Sequence, residues 1–137
     1  MGRILGLDYG DRRIGLALSD PSKMIASPFK FIINTGDDEV LDSLKILIAE
    51  EDIEAIVVGL PIGMKGQETK QTTKVREFAD LLSSLAIPIS FEDERLSSVS
   101  AEKSMIRQKI KTGHNKGIID QRAAAILLQQ YLDRHTK

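Results

Sequence analysis

The chain has 137 residues, a net charge of −1 at pH 7, 42% hydrophobic and 28% charged residues, which is ordinary for one globular domain. It has no cysteine and two histidines, which excludes disulfides, thiolate zinc sites and cysteine nucleophiles. Any metal would therefore be a hard cation such as Mg²⁺ or Mn²⁺ held by carboxylates. No apolar run of ~18 residues predicts a membrane span, and the first residues do not resemble a signal segment. We expect one cytoplasmic domain over residues 1–137.

The first predicted elements are two strands that form a hairpin, over residues 3–9 and 13–19. The first apolar run ends on Asp8, and Arg12 and Arg13 follow it closely. A carboxylate at the end of a buried strand is costly to desolvate without a partner or a metal. Asp8 is therefore a candidate site residue. Because Asp is also common in turns, the hairpin alone leaves a simple turn residue open.

The middle of the chain predicts one more antiparallel strand and then alternating helices and strands. Residues 28–33 predict the third strand, and apolar residues at helical spacing predict helices over 38–51 and 68–86. Continuous apolar runs predict two buried parallel strands, over 53–60 and 87–91. The expected fold is an α/β five-stranded mixed sheet, with three antiparallel strands plus two parallel ones, flanked by helices. Ligands of such sheets bind beyond the carboxyl ends of the strands.

Further acids lie where two other apolar elements begin or end. Glu92, Asp93 and Glu94 follow the fifth predicted strand. Asp120 starts the apolar face of a last helix predicted over residues 118–133, which would pack on the sheet. Asp is also a preferred helix N-cap, so a capping role for Asp120 stays open.

Asp8, Asp120 and an acid of segment 92–94 come from three distant parts of the chain. Carboxylates that converge repel each other unless divalent cations neutralise them. A carboxylate cluster with two metals ~3.5–4 Å apart suits phosphodiester hydrolysis, because one ion activates a water and the other stabilises the leaving oxygen. No protein nucleophile is then needed. We therefore expect a nuclease that depends on Mg²⁺ or Mn²⁺.

Charge is unevenly distributed along the chain. Residues 37–54 carry eight acids and one base, whereas residues 103–117 carry five bases and no acid. The basic loop predicted over 109–117, after a helix predicted over 97–108, is a candidate phosphate-binding segment; an ordinary solvated loop is the alternative. Because the chain has no tryptophan and 4% aromatic residues, recognition would depend on phosphates and shape more than on base stacking. The candidate substrate-binding residues are Arg12, Arg13, Lys65, Arg95, Lys109, Lys111, His114 and Lys116.

Four segments, in this order, resemble the YqgF (RuvX-like) family of the ribonuclease H-like superfamily. They are LDYGDRRIGLALSD, VVGLPIGMKG, FEDERLSS and IIDQRAAAILLQQYL, and the match covers nearly the whole chain. The resemblance implies a ribonuclease H-like fold and a metal-dependent nuclease. The family is described as a Holliday junction resolvase and as a nuclease that processes the 5′ end of pre-16S rRNA.

The resemblance also implies roles for single residues. Asp8 matches the family's first-strand catalytic acid, and Asp120 matches the acid that opens the last helix. The DER motif matches residues 93–95. We favour Glu94 as the metal-facing acid because Asp93 falls in the alternation of a packed face, and Asp93 stays an alternative.

The end of the central strand departs from the pattern of junction-resolving relatives. Where such a relative has an acid, this chain has Gly59-Leu60-Pro61. The expected site therefore has three carboxylates rather than four.

Two functions of other classes remain open from the sequence. DYGDRRIG also resembles the phosphate loop of the actin, sugar-kinase and Hsp70 group, but those proteins close two such domains around a nucleotide, and 137 residues hold one. A non-catalytic protein associated with RNA or the ribosome would bind RNA without needing Asp8.

The two nuclease substrates differ in the assembly that they need. Junction resolution takes two symmetric cuts and hence a dimer, whereas trimming an rRNA precursor takes one active site. No unclaimed apolar stripe forces a dimer. We therefore expect a monomer or weak homodimer that acts on pre-16S rRNA, with junction resolution in DNA recombination and repair as the alternative.

Overall fold

The computed structural model of the protein describes residues 2–63, 65–94 and 116–135. The helix predicted over 97–108 and residues 109–115 of the predicted basic loop lie outside the described residues. Within the described ranges, none of the helices combines the length and apolar content that crossing a bilayer requires.

Five strands form one mixed sheet in the order β3-β2-β1-β4-β5. The central strand β1 (Arg3–Asp8) pairs antiparallel with β2 (Arg13–Ser19), and β2 pairs antiparallel with β3 (Ala26–Ile33). On the other side, β4 (Ile53–Leu60) runs parallel to β1, and β5 (Ile89–Asp93) runs parallel to β4. The predicted sheet of three antiparallel and two parallel strands is confirmed.

The described helices are α1 (Asp37–Glu51), α2 (Lys70–Leu82) and α3 (Lys116–His135), and a 3₁₀ turn (Ser83–Leu85) follows α2. The helix predicted over 68–86 is thus too long. A capping box at Thr69 sets the start of α2, because the Thr69 hydroxyl accepts from an amide of the first turn. At the other end, the chain tightens into the 3₁₀ turn.

The fifth strand lies two residues further along the chain than predicted. Its register with β4 pairs Ile56 with Ile89 and Leu60 with Asp93, so the two strands end at the same level. Pro88 lies in the connection, where its carbonyl accepts from the amide of Ile56. Glu92 and Asp93 are therefore strand residues, whereas the sequence predicted them beyond the strand.

The last helix begins at Lys116, two residues before the predicted start, and ends at His135 rather than at 133. Asp120 consequently lies one turn inside the helix. The interpretation of Asp120 as an N-cap is wrong, because an N-cap precedes the first helical residue.

The sheet separates two apolar layers. Leu5 and Leu7 of β1 pack with Leu44 of α1 and Phe78 of α2 on one face. The other face packs against α3 through a cluster formed by Ile4, Ala17, Val57, Ala124, Ala125, Leu128 and Leu132.

Small residues let α3 lie close to the sheet. A Cβ at Gly6 would lie 2.8 Å from Leu128 Cβ and 3.1 Å from the Ala124 carbonyl oxygen. Ala123 and Ala124 are both buried, as expected from the sequence. The close approach brings the first turns of α3 to the carboxyl ends of the strands.

Candidate active site

Asp8 is the last residue of the central strand and is only 5% exposed. It pairs with Gly15 of β2, and directly opposed residues of an antiparallel pair share one face of the sheet. That face is the one that α3 covers. Next to Asp8, the ring of Tyr9 contacts that of Phe78, with 4.5 Å between the centroids. Asp8 is thus fixed by a buried strand and is not a residue of the turn.

Asp120 lies directly over Gly15 and is 9% exposed. A Cβ at Gly15 would lie 2.1 Å from the backbone oxygen of Asp120 and 2.9 Å from its Cβ, so only glycine permits this approach. The Nε of Arg13 donates a 3.1 Å hydrogen bond to Oδ2 of Asp120. The start of β2 therefore holds Asp120 beside Asp8.

Glu94 follows β5 directly and is 8% exposed. A Cβ at Gly59 of the neighbouring strand would lie 3.1 Å from Glu94 Oε1 and 2.8 Å from Leu127 Cδ2 of α3. The carboxylate of Glu94 thus takes space that a side chain at position 59 would fill. Gly59 lies in the segment that departs from the pattern of junction-resolving relatives. Its lack of a side chain makes room for the acid that follows the neighbouring strand.

The carboxylates of Asp8, Glu94 and Asp120 line one cavity of about 430 Å³, together with Arg12 and Arg13. These three acids are far apart in the sequence and meet at the carboxyl ends of β1 and β5 and the first turns of α3.

Two other predicted site residues do not line this cavity. Asp93 precedes Glu94 and, by strand alternation, lies on the opposite face. Lys65 is exposed in the loop before α2. The side chains of Arg95, Lys109, Lys111, His114 and Lys116 lie outside the described part of the chain.

Five residues that line the cavity were not predicted as site residues: Tyr9, Gly10, Asp11, Pro61 and Gln71. Gln71 belongs to the first turn of α2, which is tied to the end of β4 because the Thr72 hydroxyl donates to the Pro61 carbonyl. Asp11 pairs with Lys74 at 3.4 Å on the exposed rim. The capping pattern could have placed the start of α2 near the site, but it does not indicate which side chain of the turn faces the cavity.

The chemistry of the cavity suits a hard divalent cation, because carboxylate oxygens are the ligands that Mg²⁺ and Mn²⁺ prefer. Within the described residues, no three His, Cys, Asp or Glu side chains are arranged closely enough to hold one ion. Arg13 also occupies one oxygen of Asp120. A Mg²⁺ ion commonly binds through one or two carboxylates and completes its shell with water and substrate phosphates, and the cavity provides for that mode.

The fold has clear counterparts among solved structures of nucleic-acid enzymes. RuvC of T. thermophilus in complex with a Holliday junction substrate matches with a TM-score of 0.61 and 12% identity, over 98% of this chain and 95% of that one. The fowlpox virus resolvase in complex with Holliday junction DNA matches with a TM-score of 0.60 and 12% identity, over 98% and 99% of the chains. At 12% identity these matches show a similar fold and nothing more. They confirm the predicted ribonuclease H-like fold.

The sequence defines the family more narrowly. Residues 2–134 match the family model of RuvX, described as Holliday junction resolvase, and the chain belongs to this family. A relative from Roseiflexus sp. (strain RS-1) is 47% identical over 133 residues, 96% of this chain and 94% of the relative. A relative from Halothermothrix orenii is 44% identical over 136 residues, 98% of this chain and 97% of the relative. Both are named as candidate pre-16S rRNA nucleases, and the predicted class of enzyme, a hydrolase of phosphodiester bonds, is confirmed.

Proposed function

We propose that this protein is a divalent-metal-dependent endonuclease that acts as one domain and uses Asp8, Glu94 and Asp120 to cut a nucleic-acid backbone. The observation that supports the proposal is the convergence of these three buried acids on one cavity. Burial of carboxylates is costly unless charge partners compensate for it. A divalent cation is a partner that such a cavity can admit from solvent, and a bound cation would in turn attract a phosphate backbone.

The fold holds each of the three acids in a different way. Asp8 is fixed by the central strand, and Glu94 follows an edge strand and packs beside Gly59. Asp120 is oriented by the Nε of Arg13. We propose that these carboxylates, at most two to each ion, hold Mg²⁺ or Mn²⁺, which when bound would supply Lewis-acid stabilisation and a water nucleophile at neutral pH.

The arginines of the cavity are suited to the phosphates that flank the cut. Arg12 lines the cavity and is exposed, so its guanidinium can reach a backbone that lies across the rim. Arg13 binds Asp120 through Nε, and its guanidinium carries further N–H donors on the terminal nitrogens. We propose that both contact phosphates, with Lys65, Arg95, Lys109, Lys111, His114 and Lys116 as further candidates.

We propose the 5′ end of pre-16S rRNA as the substrate, cut in the cytoplasm. The names of relatives at 44–47% identity favour this choice. One cavity in one chain also suffices for a single cut. The second candidate is a Holliday junction, which the description of the family favours; paired cuts there would require two copies of the chain.

A cleavage assay with the purified protein tests the proposal. It compares a pre-16S rRNA 5′ fragment, a four-way DNA junction and linear duplex DNA, each with Mg²⁺, Mn²⁺ or EDTA. We expect metal-dependent cutting of the RNA fragment. Asp8→Asn should lower the rate by more than about 100-fold, because even outer-shell changes at metal sites cost 10–100-fold.

Asp133→Asn is the matched control, because it removes one negative charge from the exposed part of α3, where Asp133 accepts from Gln129. Symmetric paired cuts in the junction alone would transfer the proposal to the resolvase. Binding of RNA without cutting, equal in wild type and Asp8→Asn, would support a non-catalytic RNA-binding protein instead.

A further inference from the structure

Besides Asp8, Glu94 and Asp120, the described residues include a buried carboxylate that does not line the cavity, two residues before Glu94. Glu92 is 0% exposed. It accepts a 2.6 Å hydrogen bond from Gln130 Nε2 and a 2.5 Å one from Arg134 Nη2 of α3. Charge-assisted bonds of this length are among the stronger ones in proteins, and a carboxylate with such partners can be retained in the interior.

These bonds join two elements that otherwise touch little. The helix α3 packs mainly over β1, β2 and β3, and much less over β4 and β5. Glu92 pairs with Gly59, and a Cβ at Gly59 would contact Leu127 of α3. Because paired residues of neighbouring strands share one face of the sheet, Glu92 points toward the helix. The edge strand β5 is thus held by backbone hydrogen bonds to β4 and by the side-chain bonds of Glu92 to α3.

The same two elements carry two of the proposed catalytic acids. Glu94 follows β5 directly and lies on the same side as Glu92, because its Oε1 would be 3.1 Å from a Cβ at Gly59, the residue that pairs with Glu92. Asp120 lies ten residues before Gln130, about 15 Å along the helix at 1.5 Å per residue. A rigid helix tied at one end by Glu92 and at the other by Arg13 has a fixed position relative to the end of β5.

We propose that Glu92 is a positioning residue of the active site, which sets the spacing of Glu94 and Asp120 by clamping β5 to α3 through Gln130 and Arg134. This inference rests on the proposed function, since the spacing matters only if the two acids share a cation. In this role Glu92 acts through Gln130 and Arg134 and does not contact the substrate.

Binding of Mn²⁺ to the protein without substrate, measured by titration calorimetry, tests the clamp. Arg134→Met is the first variant, because Arg134 is 49% exposed and its replacement leaves no cavity in the core. We expect Mn²⁺ affinity to fall by about 10-fold, at the lower end of outer-shell effects, and Arg134→Lys to restore part of it. Gln130→Met should weaken binding as well, and it keeps the test usable if Arg134→Met fails to fold.

Lys23→Met is the matched control, because it removes one cation from a 3.0 Å pair with Glu54, a pair that shares no residue with the clamp. It should bind Mn²⁺ as the wild type does, even if its Tm falls. Lower Tm with wild-type Mn²⁺ affinity in Arg134→Met would overturn the clamp and leave the proposed function intact. A wild-type protein that binds no Mn²⁺ would also overturn the clamp, because no shared cation would then depend on the spacing; the cleavage assay decides on the proposed function separately.

Discussion

The two ends of α3 meet the sheet through carboxylates in different ways. At the carboxyl-terminal end, Glu92 of the sheet is fully enclosed and bonded to Gln130 and Arg134 of the helix. At the amino-terminal end, Asp120 of the helix bonds to Arg13 of the sheet at the wall of an open cavity. The first arrangement excludes solvent and suits a structural tie, whereas the second admits an ion or a phosphate.

The contrast is sharpest between Glu92, which lies on β5, and Glu94, which directly follows it; the two have the same chemistry and lie on the same side of the sheet. Both are buried, so burial alone does not distinguish a structural acid from a reactive one. Access to a cavity shared with other acids does. Substitutions at the two kinds of carboxylate should therefore differ in their effects on cleavage and on stability.

Glu94→Gln should lower the cleavage rate by more than about 100-fold, as expected for a proposed metal ligand when outer-shell changes already cost 10–100-fold. Its Tm should stay close to that of the wild type, because glutamine has the same shape. Asp93→Asn is the matched variant and should retain most of the activity, since Asp93 does not line the cavity. Steady-state cleavage of the preferred substrate measures both; the reverse order of effects would assign the role to Asp93.

Gly15→Ala should destabilise the fold by about 1–3 kcal/mol or more, the usual cost of overpacking. The new Cβ would lie 2.1 Å from the backbone oxygen of Asp120, and a helix backbone cannot yield as a side chain can. Urea unfolding at pH 7 measures the effect.

Gly59→Ala provides the comparison for Gly15→Ala. Its new Cβ would meet the ends of two side chains, Leu127 Cδ2 at 2.8 Å and Glu94 Oε1 at 3.1 Å. The loss of stability should therefore be smaller, while the loss of activity should be large because Glu94 is displaced. Equal effects of both variants on stability and activity would show that the glycines do not shape the site in the proposed way.

The smallest effect concerns an acid at the opposite end of the sheet. The Ser22 hydroxyl and the backbone amides of Ile25 and Met24 hold the pKa of Asp20 well below its usual range. A depressed pKa in the folded state gives stability that is present above the unfolded pKa and is lost as the pH falls toward the folded pKa. Asp20→Asn should thus lose part of the difference in Tm between pH 7 and pH 3. Since Asp20 is exposed, we expect a shift of a few degrees at most.

The sequence predicts the sheet, and it names three of the four acids that line the cavity, Asp8, Glu94 and Asp120 but not Asp11. Continuous apolar runs end at Asp8 and at Leu60, and alternation fixes their faces. The register of β5 could not be predicted, because only pairing with β4 decides where that strand ends. The roles of Gly15 and Gly59 are likewise invisible in the sequence, since their neighbours come from distant segments.

The partners of the buried acids were the least predictable part of the site. Neither the bond from Arg13 to Asp120 nor the tie from Glu92 to Arg134 follows from local spacing, because each pair joins residues far apart in the chain. The choice of Glu94 over Asp93 rested on alternation, and the cavity lining agrees with it.

Crystals of the protein soaked in Mn²⁺, with data collected for anomalous scattering, test the central claim most directly. We expect an anomalous peak in the cavity, in contact with carboxylate oxygens of Glu94 and of Asp8 or Asp120, and its loss in Glu94→Gln. A protein that cuts its substrate with Mn²⁺ but shows no peak in this cavity would contradict the account.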